Sequence, residues 1–326
     1  MNLMDQLAEL RACGGAARTR GLPDEVILRF AERDPRLARA ISEARAAFRA
    51  LRKEDPGFLE LDENEQVRTI QAGFVNFYAL DVVNPYVALA GAGPWIVTLK
   101  GAVLHDSGGY GMLGHGHAPD TVLNAMSGHQ VMANVMTPNY SQMRLVRALR
   151  AEIGHRRGGC PYARFVCLNS GSEAVTVAAR IADINARQMT DPGGRHANER
   201  IRSLSLQSGF HGRTERPARF SDASRKTYAR YLASFRDRDN LITVAPNDIE
   251  QLEQVFAYAE DNDLFIEAFF MEPVMGEGNP GRAITPEFYA RARELTREHG
   301  SVLLVDSIQA GLRAHGVLSI TDFPGF

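Results

Sequence analysis

Lysine is nearly missing from this 326-residue sequence: Lys53, Lys100 and Lys226 stand against 34 arginines, a skew that reads as base composition of the gene rather than a binding code. Any chemistry that needs an amine side chain therefore has three candidates. Cysteine is almost as rare. Cys13, Cys160 and Cys167 are odd in number and form no CxxC pair, which argues against a disulfide framework and a zinc knuckle and points to a reducing compartment. No apolar run approaches the roughly eighteen residues of a membrane span. The first twelve residues carry Asp5 and Glu9 and lack an apolar core of signal-peptide length, so a cytoplasmic location is expected. A net charge of −2 provides no field to attract nucleic acid or an anionic membrane, and neither partner is expected. Repeats and low-complexity segments are lacking too.

What remains is an ordinary globular mixture, 44% hydrophobic and 23% charged, which excludes disordered, collagen-like and coiled-coil chains. The length suits about two domains, or one large α/β domain with appendages. Residues 1–92 read as a helical N-terminal extension: Phe30, Leu37, Ile41 and Phe48 recur at helical spacing, and Pro35, Pro56 and Pro85 mark breaks. From Gly93 a strand-like Trp95–Leu99 and a glycine-rich stretch follow, then helices after Asp120 and over Arg144–Ile153. Short β-rich runs then alternate with helical stretches. The runs are Arg164–Leu168, Arg202–Leu206, Leu241–Val244, Phe265–Met271 and Val302–Val305. That alternation predicts, over residues 93–326, an α/β domain with a mostly parallel sheet and helices on both faces.

Ligands of open α/β sheets bind beyond the carboxyl ends of the strands. Four of these runs deliver special residues there. Ser170-Gly171-Ser172-Glu173 after the first suits a helix cap, or a phosphate held by amide groups at a helix N-terminus. Phe210-His211-Gly212 suits an aromatic core plug, or a ring that stacks on a flat heterocycle. Glu272-Pro273 taken alone ends a strand. Asp306 follows four apolar residues, so its carboxylate needs a partner to offset desolvation: a backbone group, an arginine or a ligand. Together the four describe one ligand with a phosphate, a flat ring and a protonated ring nitrogen, pyridoxal 5′-phosphate.

The order and wording of these motifs resemble the class III aminotransferases, fold type I pyridoxal-phosphate enzymes, over about residues 93–326. That family writes SG[ST]EA, aromatic-HG, EPxxGEG and DE[IV]QxGxxRxG. The sequence departs from it at Ser307, where a glutamate is usual, and at Arg313-Ala314-His315-Gly316 in place of an RTG. The resemblance implies that Gly171 and Ser172 hold the cofactor phosphate, Phe210 stacks on the ring and Ile308 packs its other face. Gln309 would bond the ring 3-oxygen, and Asp306, the catalytic residue, would pair with the pyridinium and keep the ring nitrogen protonated. His211 and Glu272 would complete the cofactor shell, Glu272 near the 3-oxygen. Glu277 would meet substrate or an arginine, and Tyr110 and Gly111 would face substrate. The implied activity moves an amino group from an amine or amino acid to a keto acid, in a homodimer. A racemase, aminomutase or decarboxylase on the same scaffold is the rival within enzymes.

The resemblance also implies a lysine that holds the cofactor covalently, roughly two to three dozen residues past the aspartate. The sequence ends at Phe326, twenty positions past Asp306, and none of its three lysines stands in that place. The chain is therefore expected to be the front part of a longer enzyme without its C-terminal small domain, or else a non-catalytic, lysine-less subunit that binds cofactor. Gly109–Gly114 spells GxGxxG but lacks the strand, helix and acid of a dinucleotide site. His105, His115 and His117 lack a properly spaced carboxylate, and no metal is expected.

Overall fold

The computed structural model describes residues 2–75, 83–107, 114–129, 131, 134, 136–236, 240–311 and 316–326. The chain divides into two compact units, Met1–Met132 and Ala133–Phe326.

In the first unit, helices α1 (Leu3–Arg11), α2 (Asp24–Ala31), α3 (Pro35–Glu54), α4 (Pro56–Leu59) and α5 (Glu63–Gln71) precede an antiparallel sheet. Its strands are β1 (Ala88–Ala92), β2 (Trp95–Thr98) and β3 (Val103–His105), in that order; helix α6 (Asp120–Met126) follows. Asp34 caps α3 ahead of Pro35, and Leu37, Ala40, Ile41, Ala44 and Phe48 form one apolar stripe. That stripe shares a buried core with Trp95, Val97, Leu99 and Val103. This sharing shifts the boundary expected at residues 92 and 93. β2 hydrogen-bonds to β1 and β3 to β2, and both pack with the N-terminal helices, so the break falls near residue 132.

The second unit holds α7 (Tyr140–Glu152), α8 (Gly171–Thr190), β4 (Arg200–Leu206), α9 (Glu215–Ala218), α10 (Asp222–Tyr231), β5 (Leu241–Val244), α11 (Ile249–Asp261), β6 (Leu264–Met271), α12 (Pro286–His299) and β7 (Val302–Val305). The strands form a parallel sheet in the order β5-β4-β6-β7. β6 is buried along its whole length, as a central strand covered on both faces must be. Leu252 and Phe256 of α11 and Phe288, Ala292 and Leu295 of α12 join Ile266, Phe269 and Met271 in one core. Val175, Ala179 and Ala182 of α8 pack with Ala268 and Phe270 in another.

One predicted strand is absent. Arg164–Leu168 forms no strand and pairs with no described strand, and Val166 is 68% exposed. A strand exists only through its ladder, and β7 pairs with β6 alone, so the β-rich composition of this run has no partner to act on. The run still leads into α8 and sets Ser170 at its N-cap.

Lys100 serves the first unit. Its buried Nζ donates to the carbonyl oxygens of Leu61 at 2.7 Å, Leu59 at 3.2 Å and Gly14, using all three ammonium protons to close the turns around α4. Lys100→Met should leave the Gly14 and Leu61 carbonyls unpaired, with only the Cys13 thiol remaining on that of Leu59, and destabilise this unit by about 3 kcal/mol. Urea unfolding followed through the emission of Trp95, the only tryptophan and a member of the same core, reads that loss directly. An unchanged midpoint would refute the role.

His299, near the carboxyl end of α12, accepts the Ile266 N–H on Nε2 at 3.2 Å; its Nδ1 has no partner among the described residues. Burial first, then the neighbouring His196 and Arg195, pull its pKa down to about 4. The unfolded chain thus binds a proton that the native state refuses between about pH 6.5 and 4. The contribution is fully present above pH 6.5 and fades by up to about 3 kcal/mol as pH falls through that window. Glu267 and Glu272 slope the opposite way, because burial raises their pKa values. The test is therefore a difference: the stability gap between wild type and His299→Asn, from urea titrations by far-UV circular dichroism, should shift towards the variant as pH drops from 7 to 4. A gap independent of pH would contradict it.

Candidate active site

Three parallel strands end side by side, with Leu206, Met271 and Val305 as their last residues, and the sheet register brings the segments that follow to one edge. There the structure gathers Ser170, Gly171, Ser172, Phe210, His211, Gly212, Glu272, Asp306, Ile308 and Gln309 around a cavity of about 180 Å3. Every cofactor-binding residue expected from the sequence lines it. Glu277 stands beside it through Gln309; Tyr110 and Gly111 lie outside the described residues.

At the N-terminus of α8 the two readings of Ser170–Glu173 coexist. Ser170 Oγ accepts the Glu173 N–H at 3.2 Å, and the Glu173 carboxylate accepts the N–H groups of Asn169 and Ser170, a complete capping box. The amides of Gly171 and Ser172 are left without a partner among the described residues. They stand at the positive end of a twenty-residue helix, which suits a phosphate.

Three glycines make room for residues of other motifs. A Cβ on Gly171 would come within 2.6 Å of Ile308 Cδ1, one on Gly212 within 2.5 Å of Ser172 Oγ, and one on Gly276 within 1.6 Å of Gln309 Oε1. Gly212 also has a φ of +126°, which a side chain would strain. Gln309 thus lies flush on the 276–277 backbone, where its Oε1 accepts the Glu277 N–H at 2.9 Å. Sequence reasoning reads Gly212 as a glycine that allows close approach and assigns no role to Gly276. Their place beside the motif residues was the available signal.

Asp306 is buried just past β7, and the partner its desolvation calls for is double. Oδ2 lies 2.9 Å from His211 Nδ1, and Oδ1 accepts the Ile308 N–H at 3.1 Å. Glu272, expected near a ring 3-oxygen, lines the cavity and accepts the N–H groups of Phe210 at 2.8 Å and Gly276 at 2.9 Å, one on each oxygen. It ties together the loops after β4 and β6. Burial pushes its carboxyl pKa up, against the pull of His211 and of those two amides. Glu277 pairs with Arg213, the arginine left unnamed in the sequence reading, whose guanidinium lies 5.3 Å from the centre of the Phe210 ring.

None of the three lysines lines the cavity. Lys100 is bound to carbonyls of the first unit, Lys53 is exposed on α3, and Lys226 is exposed on α10. Of the histidines in the glycine-rich stretch, His117 bonds Asp106 at 2.9 Å and His105 lies edge-on to Trp95.

The cradle fits pyridoxal phosphate: unpartnered amides at a helix end, an aromatic and an aliphatic side chain on its walls, and a buried carboxylate at its base. Comparison with known proteins leads to the same place. The family profile described as aminotransferase class-III matches residues 78–322, starting fifteen residues ahead of the expected 93. The acetylornithine aminotransferase of Vibrio parahaemolyticus is 30% identical over 210 residues, covering 63% of this chain and 46% of that protein. That of Mycobacterium leprae is 28% identical over 235 residues, 71% and 52% of the two chains. The chain thus spans about half the length of the curated relatives it matches. Among solved structures, the ornithine aminotransferase of Toxoplasma gondii has the same fold, with a TM-score of 0.63 at 23% identity over 83% of this chain and 60% of that one. With three quarters of its length inside the profile and its motifs joined in one cavity, the chain belongs to the class III aminotransferase family, whose members depend on pyridoxal phosphate.

Proposed function

We propose that the protein to which this chain belongs is a pyridoxal-phosphate-dependent aminotransferase that moves an amino group from an amine or amino acid to a keto acid. The observation that carries the reading is the interlock at the strand ends, where glycines of three motifs make room for Ile308, Ser172 and Gln309. Unrelated turns would not collide so closely in pairs around one cavity.

Bound there, the cofactor supplies a carbonyl that accepts the amino group and a ring that withdraws electrons from the reacting carbon. The chain's own part is positional and electrostatic. The Gly171 and Ser172 amides would bind the phosphate, Phe210 and Ile308 would flank the ring, and the Gln309 amide would meet its oxygen substituent. Asp306 keeps the ring nitrogen protonated. Glu277, ion-paired with Arg213 and joined to the cavity through Gln309, would meet the substrate.

Location and assembly follow as further proposals. No helix among the described residues is long and apolar enough to cross a membrane, which supports a cytoplasmic enzyme. Helix α7 buries none of its residues and exposes Tyr140, Met143 and Leu145, which supports a homodimer. The absence of lysine from the cavity favours a second reading, a subunit that holds cofactor without covalent attachment.

One experiment separates the two: the intact mass of the protein isolated from its own cells, after borohydride reduction in the presence of pyridoxal phosphate. The aminotransferase predicts a pyridoxyl adduct on a species well above 35.9 kDa. A 35.9 kDa species without adduct would refute it. In the active protein, Asp306→Ala should lower turnover by about a thousandfold or more through loss of ring-nitrogen stabilisation; near-normal turnover would overturn the assignment. Phe210→Ala should mainly weaken cofactor retention, by about tenfold. Equilibrium dialysis against pyridoxal phosphate measures that, and unchanged affinity would count against stacking.

A further inference from the structure

Helix α12 carries a second concentration of charge, apart from the strand ends. Its Arg293 and Arg297, with Arg157 from the turn after α7, surround two cavities of about 350 and 450 Å3 that share these three arginines and Tyr289. None of their lining residues lines the cavity at the strand ends.

Guanidinium groups gathered around one space repel one another, and the chain offers these no counterion. None of the three has a carboxylate or a hydrogen-bond partner for its guanidinium among the described residues. Arg293 and Arg297 stand one turn apart on α12, a spacing at which like charges are destabilising. Glu294 is the one carboxylate on the cavity walls among the described residues, and Arg291 takes it at 2.8 Å. Arg157 is nevertheless held firmly. The buried Asp322 carboxylate accepts the Gly154 N–H at 2.8 Å, and the Gly154 carbonyl accepts the N–H groups of Arg157 at 2.9 Å and Gly159 at 3.1 Å.

Tyr289 adds a donor with nothing to donate to. The residue is 6% exposed, and its hydroxyl has no hydrogen-bond partner among the described residues. Burial pushes its pKa up, against the pull of Arg293 and Arg157, so the hydroxyl keeps its proton beside those two cations. Three planar forks and one hydroxyl call for an acceptor with more oxygens than a carboxylate has. A terminal phosphate presents three oxygens and close to two negative charges. Cavities of this size also hold whole small molecules, and here Tyr162 and Phe326 supply aromatic wall.

We propose that Arg157, Arg293, Arg297 and Tyr289 form a binding site for a dianionic phosphate group, seated among the three guanidinium groups. This site goes beyond the aminotransferase reading and does not depend on it.

The test is a calorimetric titration of the full protein with its cofactor bound, at pH 8 and constant ionic strength, using inorganic phosphate and phenyl phosphate as probes. Cofactor absorbance, followed in parallel, establishes that the cofactor's own phosphate stays in place. Arg157→Gln, Arg293→Gln and Arg297→Gln should each weaken binding about tenfold. Tyr289→Phe should weaken it about threefold without lowering the melting temperature in phosphate-free buffer, because the hydroxyl it removes has no partner to lose. Arg187→Gln, exposed on α8 and outside the cavities, should change nothing. Circular dichroism establishes that each variant is folded. Tighter binding of phenyl phosphate would support an ester as the ligand, and equal affinity would support free phosphate. Wild type that shows no saturable binding, arginine variants that bind like wild type, or an equal loss in Arg187→Gln would each overturn the inference, and none of these results bears on the cofactor reading.

Discussion

A carboxylate at the end of a buried strand is costly, and much of the site's arrangement follows from how that cost is met. Asp306 sits where β7 leaves the sheet, and the imidazole and the amide that satisfy it come from His211 and Ile308. Each partner brings its neighbours along. His211 fixes Phe210 and Gly212 on one side; Ile308 fixes Gln309 on the other. An aromatic wall, a glycine turn and an amide thus become geometric consequences of one desolvated charge. Glu272 repeats the device one strand over, its carboxylate clamping the two loops by their backbone amides.

Convergence at this edge also depends on the sheet. Parallel strands place all their carboxyl ends together, and the full burial of β6 holds Met271 level with Val305 on one side and Phe270 level with Ser205 on the other. The helices seal the two faces with different chemistry. α11 and α12 bring bulky Phe256 and Phe288, whereas α8 presents Ala179 and Ala182, whose small side chains let its backbone approach the sheet. Close approach brings the N-terminus of α8 to the strand ends, within reach of Ile308 and Gly212.

The chemistry was more legible in the sequence than the architecture. Asp306 after four apolar residues, the small-residue turn at Ser170 and the aromatic before His211 are local signals, because each states a cost or a capacity on its own. The strand limits of β5 and β7 were equally plain, being short apolar runs between helices. What escaped the sequence was pairwise. Arg164–Leu168 has strand composition and no ladder, and whether a ladder forms depends on a neighbour far away in the chain. The unit boundary moved because β2 follows a glycine-proline bracket that reads as a break, while its partner β1 lies on the other side. The two backbone amides that Glu272 accepts, from Phe210 and Gly276, escaped the sequence for the same reason, since a strand-end acid does not announce its partners.

Lysine illustrates why residue type alone does not assign a role. An ammonium group offers three donors and no acceptor, and a ring of backbone carbonyls satisfies it as completely as any ligand. Gly14, Leu59 and Leu61 present three such carbonyls around α4, and Lys100 fills them. An arginine, with its planar fork, could not converge on three oxygens arranged around a point, which is a physical reason for a lysine here in a sequence that otherwise prefers arginine. A lysine that must donate three bonds to hold a turn cannot also be the neutral amine a covalent cofactor requires. The rigid use of Lys100 therefore marks it as a structural amine, bound to three carbonyls of its own unit.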